Sequence, residues 1–125
     1  MKFDESIPIY LQIKEEIENA VISNALKEDE IVPSIRTLAQ QYRLNPQTIS
    51  NAVSELLNEG LLYKKRGIGM FVQKGARKIL KKRKSEEFRK NDLKKIIVKG
   101  KSLGISKQEL MEILESIYVQ EEEVK

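Results

Sequence analysis

Apolar residues recur at helical spacing in three successive stretches, each opened by residues that start helices. Leu11, Ile13, Ile17, Ala20 and Val21 follow Pro8 and continue to about Asn24; Ile35, Leu38, Ala39 and Tyr42 follow Pro33 and Ser34. Ile49, Ala52, Val53, Leu56 and Leu57 follow Asn45 and Pro46, and Gly60 closes that segment. Ser34 and Asn45 are N-cap residues, and Pro46 occupies a first-turn position where the missing N–H costs nothing. The link through Leu44 is short enough to force a sharp turn between the second and third helices, as in a helix-turn-helix pair. After Gly60 the period shortens. LLYKK and GMFVQ are β-type runs around Arg66-Gly67-Ile68-Gly69, which predicts a hairpin. The pattern is that of a winged helix-turn-helix, mostly α with a small β-hairpin, and Tyr10, Tyr42, Tyr63 and Phe71 are read as mostly core.

The third helix carries chemistry on its other face. Gln47, Thr48, Ser50, Asn51 and Ser54 are uncharged hydrogen-bonding residues, suited to base edges and phosphate oxygens in a DNA major groove, where a solvated face more often holds Glu and Lys pairs. The formal net charge is +4, and its distribution matters more than its sum. Acids dominate residues 1–30, bases dominate 31–75 around this helix, and six of the eight residues from 77 to 84 are Lys or Arg. A polyanion is drawn to such a surface, although the 77–84 run reads equally well as a solvated face.

The 125 residues lack Cys and His, which removes zinc fingers, thiol nucleophiles, disulfides and imidazole acid–base chemistry. No nucleophile–base pair, metal-ligand cluster or cofactor motif is present, so neither an enzyme nor a cofactor is expected. No apolar run approaches a membrane span and no export signal is visible, so a cytoplasmic location without membrane contact is expected.

VPSIR at 32–36, Leu38-Ala39, NPQT at 45–48, EGLL at 59–62 and GIGMFV at 67–72 stand in order at the spacing of a known family. From about Pro8 to Val72 the chain resembles the winged-helix DNA-binding domain of the GntR family of bacterial transcription regulators. The NPQT start and short tail resemble its YtrA-type branch, whose members have a small helical C-terminal segment in place of a full effector-binding domain. Asn24 and Asp29 stand where the family usually has Gly, and both residue types tolerate positive φ. Pro46 and Ser50 replace arginines that some branches place on the recognition helix. The resemblance implies DNA contacts from Ser34 and Arg36 at the second helix, Asn45, Pro46, Gln47, Thr48, Ser50 and Asn51 at the third, and Lys64, Lys65, Arg66, Gly67 and Gly69 at the wing. Arg36 is the strongest single candidate. For Ser34, Asn45, Thr48 and the glycines, purely structural roles compete.

Two domains follow: a DNA-binding domain over 1–75 and a helical segment over 76–125. Ile79, Leu80, Phe88, Leu93, Ile96 and Ile97 predict a long helix from about Ala76 to Lys99. A second starts at Ser106, with Glu109 at capping-box spacing and a stripe of Leu110, Ile113, Leu114 and Ile117. Two such helices cannot bury their stripes alone, so a homodimer through residues 88–118 is expected, placing two recognition helices on a palindromic site. The function read from this is a sequence-specific transcription regulator, a repressor of double-stranded DNA targets, with transporter genes implied by the YtrA resemblance. A small-molecule effector is left open: a site within the tail is compatible with the sequence, but no residue pattern makes one evident. A winged helix used for RNA or protein contact is the competing class.

Overall fold

A computed structural model describes the backbone of residues 2–124 and the side chains of residues 2–120. The chain divides into two compact units, residues 1–83 and 84–125. In the first, α1 (Ile9–Ile22), α2 (Ile35–Tyr42) and α3 (Pro46–Asn58) pack with strands β1 (Ile31–Val32), β2 (Leu62–Lys65) and β3 (Gly69–Val72) and the start of α4 (Ala76–Phe88). The expected winged helix-turn-helix is present, with one addition. The hairpin β2–β3 gains β1 as a third antiparallel strand, in the order β1-β3-β2. Two residues ahead of Pro33 are too few to show a period, so periodicity missed this strand.

The cap residues act as their types dictate. Ser34 Oγ accepts the Thr37 N–H at 3.1 Å, and Asn45 Oδ1 accepts the Gln47 N–H at 2.8 Å. Ahead of α1, Gln12 Nε2 donates to the carbonyls of Asp4 and Ile7, and its Oε1 accepts the Asp4 N–H, which ties the N-terminal segment down. Asn24 and Asp29 adopt φ of +67° and +63°, so the two turns survive without glycine. A third left-handed residue, Arg43 at φ +55°, ends α2, where Leu44 N–H donates to the Ala39 carbonyl at 3.0 Å. An arginine gives no sequence signal for that conformation.

Ile13, Ile17 and Val21 of α1, Leu38 and Ala39 of α2, and Ile49, Ala52, Val53 and Leu56 of α3 meet Val32, Leu61, Leu62, Met70 and Val72 in one core. Tyr10 and Tyr42 are half-buried against it, as read. Tyr63 and Phe71 depart from the core reading. They pair across β2 and β3 and stack on each other, ring centroids 5.5 Å apart, and the buried Leu62, Met70 and Val72 occupy the opposite face of the pleat.

Ala76 and Leu80, near the start of α4, are 0% and 1% exposed, so the winged unit runs past residue 75 to Arg83. Two of the basic residues in the 77–84 run fasten this helix. Arg77 Nε donates to the Ile22 carbonyl at the end of α1, and Arg83 Nη1 donates to Glu59 Oε1 at 2.7 Å. Lys14 of α1 donates to the other Glu59 oxygen, so one carboxylate at the end of α3 links α1, α3 and α4.

The long helix expected from about Ala76 to Lys99 is present, its backbone helical from the start of α4 through to Ser102. A π-helical turn (Arg89–Leu93) precedes α5 (Lys94–Ser102), and α6 (Lys107–Val124) follows after Gly104. Ser106 caps α6, accepting the Glu109 N–H at 3.1 Å as the capping-box spacing predicts, and its hydroxyl donates to Glu109 Oε1.

Burial pushes the Glu59 carboxyl up, but hydrogen bonds from Lys14 and Arg83 outweigh it and hold the group below its usual value of 4.5. Burial likewise pulls Lys14 down, while Glu59, Glu55 and Glu18 raise it overall. The stabilisation from Glu59 is therefore complete above about pH 5 and disappears as pH falls through its lowered folded pKa. Glu59→Gln should lower the thermal midpoint at pH 7, and its difference from wild type should shrink toward zero on acidification, as followed by circular dichroism. Leu80→Ala should cost about 2–5 kcal/mol in urea unfolding. Ile79→Ala, at a side chain 51% exposed, should stay within about 0.5 kcal/mol of wild type.

Candidate nucleic-acid interface

Burial of Ile49, Ala52, Val53 and Leu56 fixes the rotation of α3 and turns its polar residues outward. Asn45, Pro46, Gln47 and Asn51 are exposed, and Thr48 and Ser50 are half-buried. Gln47 Nε2 donates to Asn51 Oδ1 at 3.0 Å, one helical turn along. The bond links the two amides and leaves the Gln47 oxygen as an acceptor and the Asn51 nitrogen as a donor. The oxygen of Asn45 is engaged in its cap, so its role here is to start the helix.

A second cluster forms where α2 begins beside the wing. Ser34, Arg36, Lys64, Lys65, Arg66, Gly67 and Gly69 line one open groove of about 440 Å³, together with Ile35, Ile68 and Met70. Residues separated by some 30 positions in sequence are brought together because β3 lies between β1, which leads into α2, and β2. Ser34 accepts the Thr37 N–H and donates to Thr37 Oγ1, so its hydroxyl serves the cap, while Arg36 is exposed within the first turn of α2, at the positive end of the helix dipole.

The three basic residues of the wing differ in what holds them. Lys65 Nζ lies 4.8 Å from the centroid of the Phe71 ring, on the sheet face carrying the Tyr63–Phe71 stack. By the alternation of β2, Lys64 projects from the opposite face, and Arg66 follows at the turn. Gly67 and Gly69 take φ of +76° and +149°, which a side-chain-bearing residue adopts only under strain. At Gly69 space is also short: a Cβ there would stand 3.2 Å from Ile31 Cδ1. Tyr63 donates its hydroxyl to Asp29 at 3.1 Å, and partial burial with that bond raises its pKa.

Within the second unit, Phe88, Leu93, Ile96, Ile97, Ile113, Leu114 and Ile117 are exposed and Leu110 is half-buried. Ile96, Ile97, Ile105 and Leu110 line an apolar cleft of about 530 Å³ between the end of α5 and the start of α6. Among the described residues no group of His, Cys, Asp and Glu is placed to hold a metal ion, and no helix is long and apolar enough to cross a membrane. Sequence reasoning missed Ile35, Ile68 and Met70 as groove-lining residues. The position of Ile68 between two glycines was the available signal.

Residues 9–72 match the family described as bacterial regulatory proteins, gntR family. The transcriptional repressor NagR of Bacillus subtilis is 43% identical over 68 residues, which are 54% of this chain and 28% of NagR. The transcriptional repressor YtrA of the same organism is 35% identical over 75 residues, 60% of this chain and 58% of YtrA. The chain therefore spans less than two thirds of either curated relative. Among solved structures, a GntR family transcriptional regulator from Listeria monocytogenes superposes with a TM-score of 0.75 at 28% identity, covering 91% of this chain and 98% of that one. The DNA-binding domain of AraR, solved in complex with operator ORR3, superposes with a TM-score of 0.52 at 33% identity, over 58% of this chain and 87% of that one. The family match takes in just over half of the chain and contains every element from α1 to the wing, and on that match the chain belongs to the GntR family of bacterial regulatory proteins.

Proposed function

We propose that the protein is a sequence-specific transcription regulator, acting as a repressor, that binds double-stranded DNA as a homodimer at a palindromic operator and carries out no catalysis. The observation that carries this reading is the outward face of α3, with Gln47 and Asn51 linked by their hydrogen bond, standing on a fold whose counterpart in AraR is solved on operator DNA. On this reading α3 enters the major groove with Gln47, Thr48, Ser50 and Asn51 toward base edges, while Asn45 and Pro46 set its start. Arg36 reaches a guanine edge or a phosphate at the positive end of α2, and Lys64, Lys65, Arg66, Gly67 and Gly69 form a wing that approaches the backbone and minor groove. Repression follows NagR and YtrA, both named as transcriptional repressors.

The homodimer is supported by composition as well as exposure. α5 carries Lys94, Lys95, Lys99 and Lys101 beside the exposed Ile96 and Ile97, and α6 carries Glu109, Glu112 and Glu115 beside the exposed Ile113, Leu114 and Ile117. Two copies pairing α5 of one with α6 of the other bury both stripes and oppose unlike charges.

Selection from a random duplex pool, with the complex mass recorded and salt titrated, tests the whole reading. Tight, salt-sensitive binding of two chains to one family of inverted repeats is expected; equal weak binding to every duplex would sink it. On the selected duplex, Arg36→Ala should cost about 1–3 kcal/mol and relax preference at one position. Lys64→Ala should instead weaken binding to all sequences and lower the salt slope by about one unit. Replacing Ile113 and Ile117 together by Glu should convert the dimer to monomer in sedimentation equilibrium while leaving the melting of the winged unit unchanged, whereas a wild-type protein that sediments as a monomer at all concentrations would rule out the dimer.

A further inference from the structure

The tip of the wing carries a side chain that the fold does not use. Ile68 is 65% exposed, more than any other exposed large hydrophobic described in the N-terminal unit. It sits between Gly67 and Gly69 at a turn closed by its own N–H, which donates to the Lys65 carbonyl at 3.0 Å. The central residues of that turn are Arg66 and Gly67, so Ile68, which closes it, answers no conformational demand that an apolar side chain would serve. One exposed isoleucine needs no explanation on an ordinary surface. This one follows three consecutive cationic residues, Lys64, Lys65 and Arg66, and shares a groove with Arg36. Of the three apolar side chains lining that groove, Met70 is buried and Ile35 half-buried, so Ile68 alone projects.

We infer that Ile68 is an apolar wedge that enters the DNA minor groove and partly unstacks a base step there, giving the regulator a readout of DNA deformability in addition to the contacts of α3. The inference rests on the DNA-binding reading above. The cationic residues bring the wing to the phosphate backbone, and the flanking glycines, which carry no side chain, let the tip approach the groove floor. Proteins that bind this groove combine Arg and Lys with inserted aliphatic side chains, which kink the duplex toward the major groove. The cost of unstacking is lowest at pyrimidine–purine steps, so the wedge selects a flexible step that α3 never touches. The turn is fixed on the sheet by the pairing of Lys65 with Gly69, and Gly69 is packed under Ile31, so the wedge stands on an ordered base.

The test uses the full chain and the tightest duplex it selects from a random pool, with 2-aminopurine placed in turn at each adenine across the site. Wild-type protein should raise the fluorescence at one step under the wing. Ile68→Ala should remove that rise and weaken binding roughly tenfold without changing the salt slope, because no phosphate contact is lost. Ile68→Leu should restore both signals. A fluorescence rise and an affinity that persist unchanged in Ile68→Ala would overturn the wedge and leave the DNA-binding reading intact, as would the absence of any rise with wild-type protein. Failure to select any duplex would overturn the DNA-binding reading and the wedge with it.

Discussion

The burial of one face of α3 is the constraint on which the rest depends. Ile49, Ala52, Val53 and Leu56 are between 0% and 1% exposed and contact a core contributed by α1, α2, the sheet and the start of α4. Burying one such aliphatic side chain is worth about 1.5–3 kcal/mol, so rotating α3 by even a fraction of a turn would forfeit more than any surface contact could return. The polar side chains of α3 are therefore aimed by apolar residues on the opposite side of the same helix. Glu59 reinforces this seat at the C-terminal end, where one carboxylate bonds both Lys14 and Arg83. A partly shielded pair of this kind adds less than the core does, but it ties together three helices that approach from different parts of the chain.

Function and stability share residues here to an unequal degree. Ser34 and Asn45 have their side-chain oxygens engaged by backbone N–H groups, so what their side chains do here is start a helix. Gln47 and Asn51 bond each other and contribute nothing to the core, which leaves their remaining amide groups for a partner. The basic residues split likewise. Arg77 and Arg83 are structural ties, Lys65 is drawn over Phe71, and Arg36, Lys64 and Arg66 stand exposed around the groove. A count of positive charge treats all of these alike; their partners separate them.

The C-terminal unit poses the opposite problem. Ser106 caps α6, yet most of the unit's described aliphatic side chains are exposed, from Leu103 at 70% to Leu93 at 36%. Helices that expose this much apolar surface in one chain are explained by what covers them, and the opposed charges of α5 and α6 suit a second copy. On the proposed function, the winged unit reads DNA and the small helical tail holds two readers at a fixed spacing.

Local signals wrote much of this into the sequence. The helix spans of the winged unit, the caps at Ser34, Asn45 and Ser106, the hairpin around Gly67 and Gly69, and the buried stripe of α3 follow from period, cap chemistry and turn chemistry, each acting over a few residues. The tertiary structure decided what depends on distant partners. The strand at Ile31–Val32 exists only because β3 pairs with it, and Tyr63 and Phe71 lie on the outer face because the register of β2 and β3 sets Leu62, Met70 and Val72 inward. The winged unit extends into α4 because a pocket in its core receives Ala76 and Leu80, and Arg43 is left-handed because Leu44 must bond back to Ala39. The groove uniting Arg36 with the wing is likewise a product of sheet order, which no local pattern encodes, since hydrogen-bond pairing across the sheet joins residues by geometry and not by their distance along the chain.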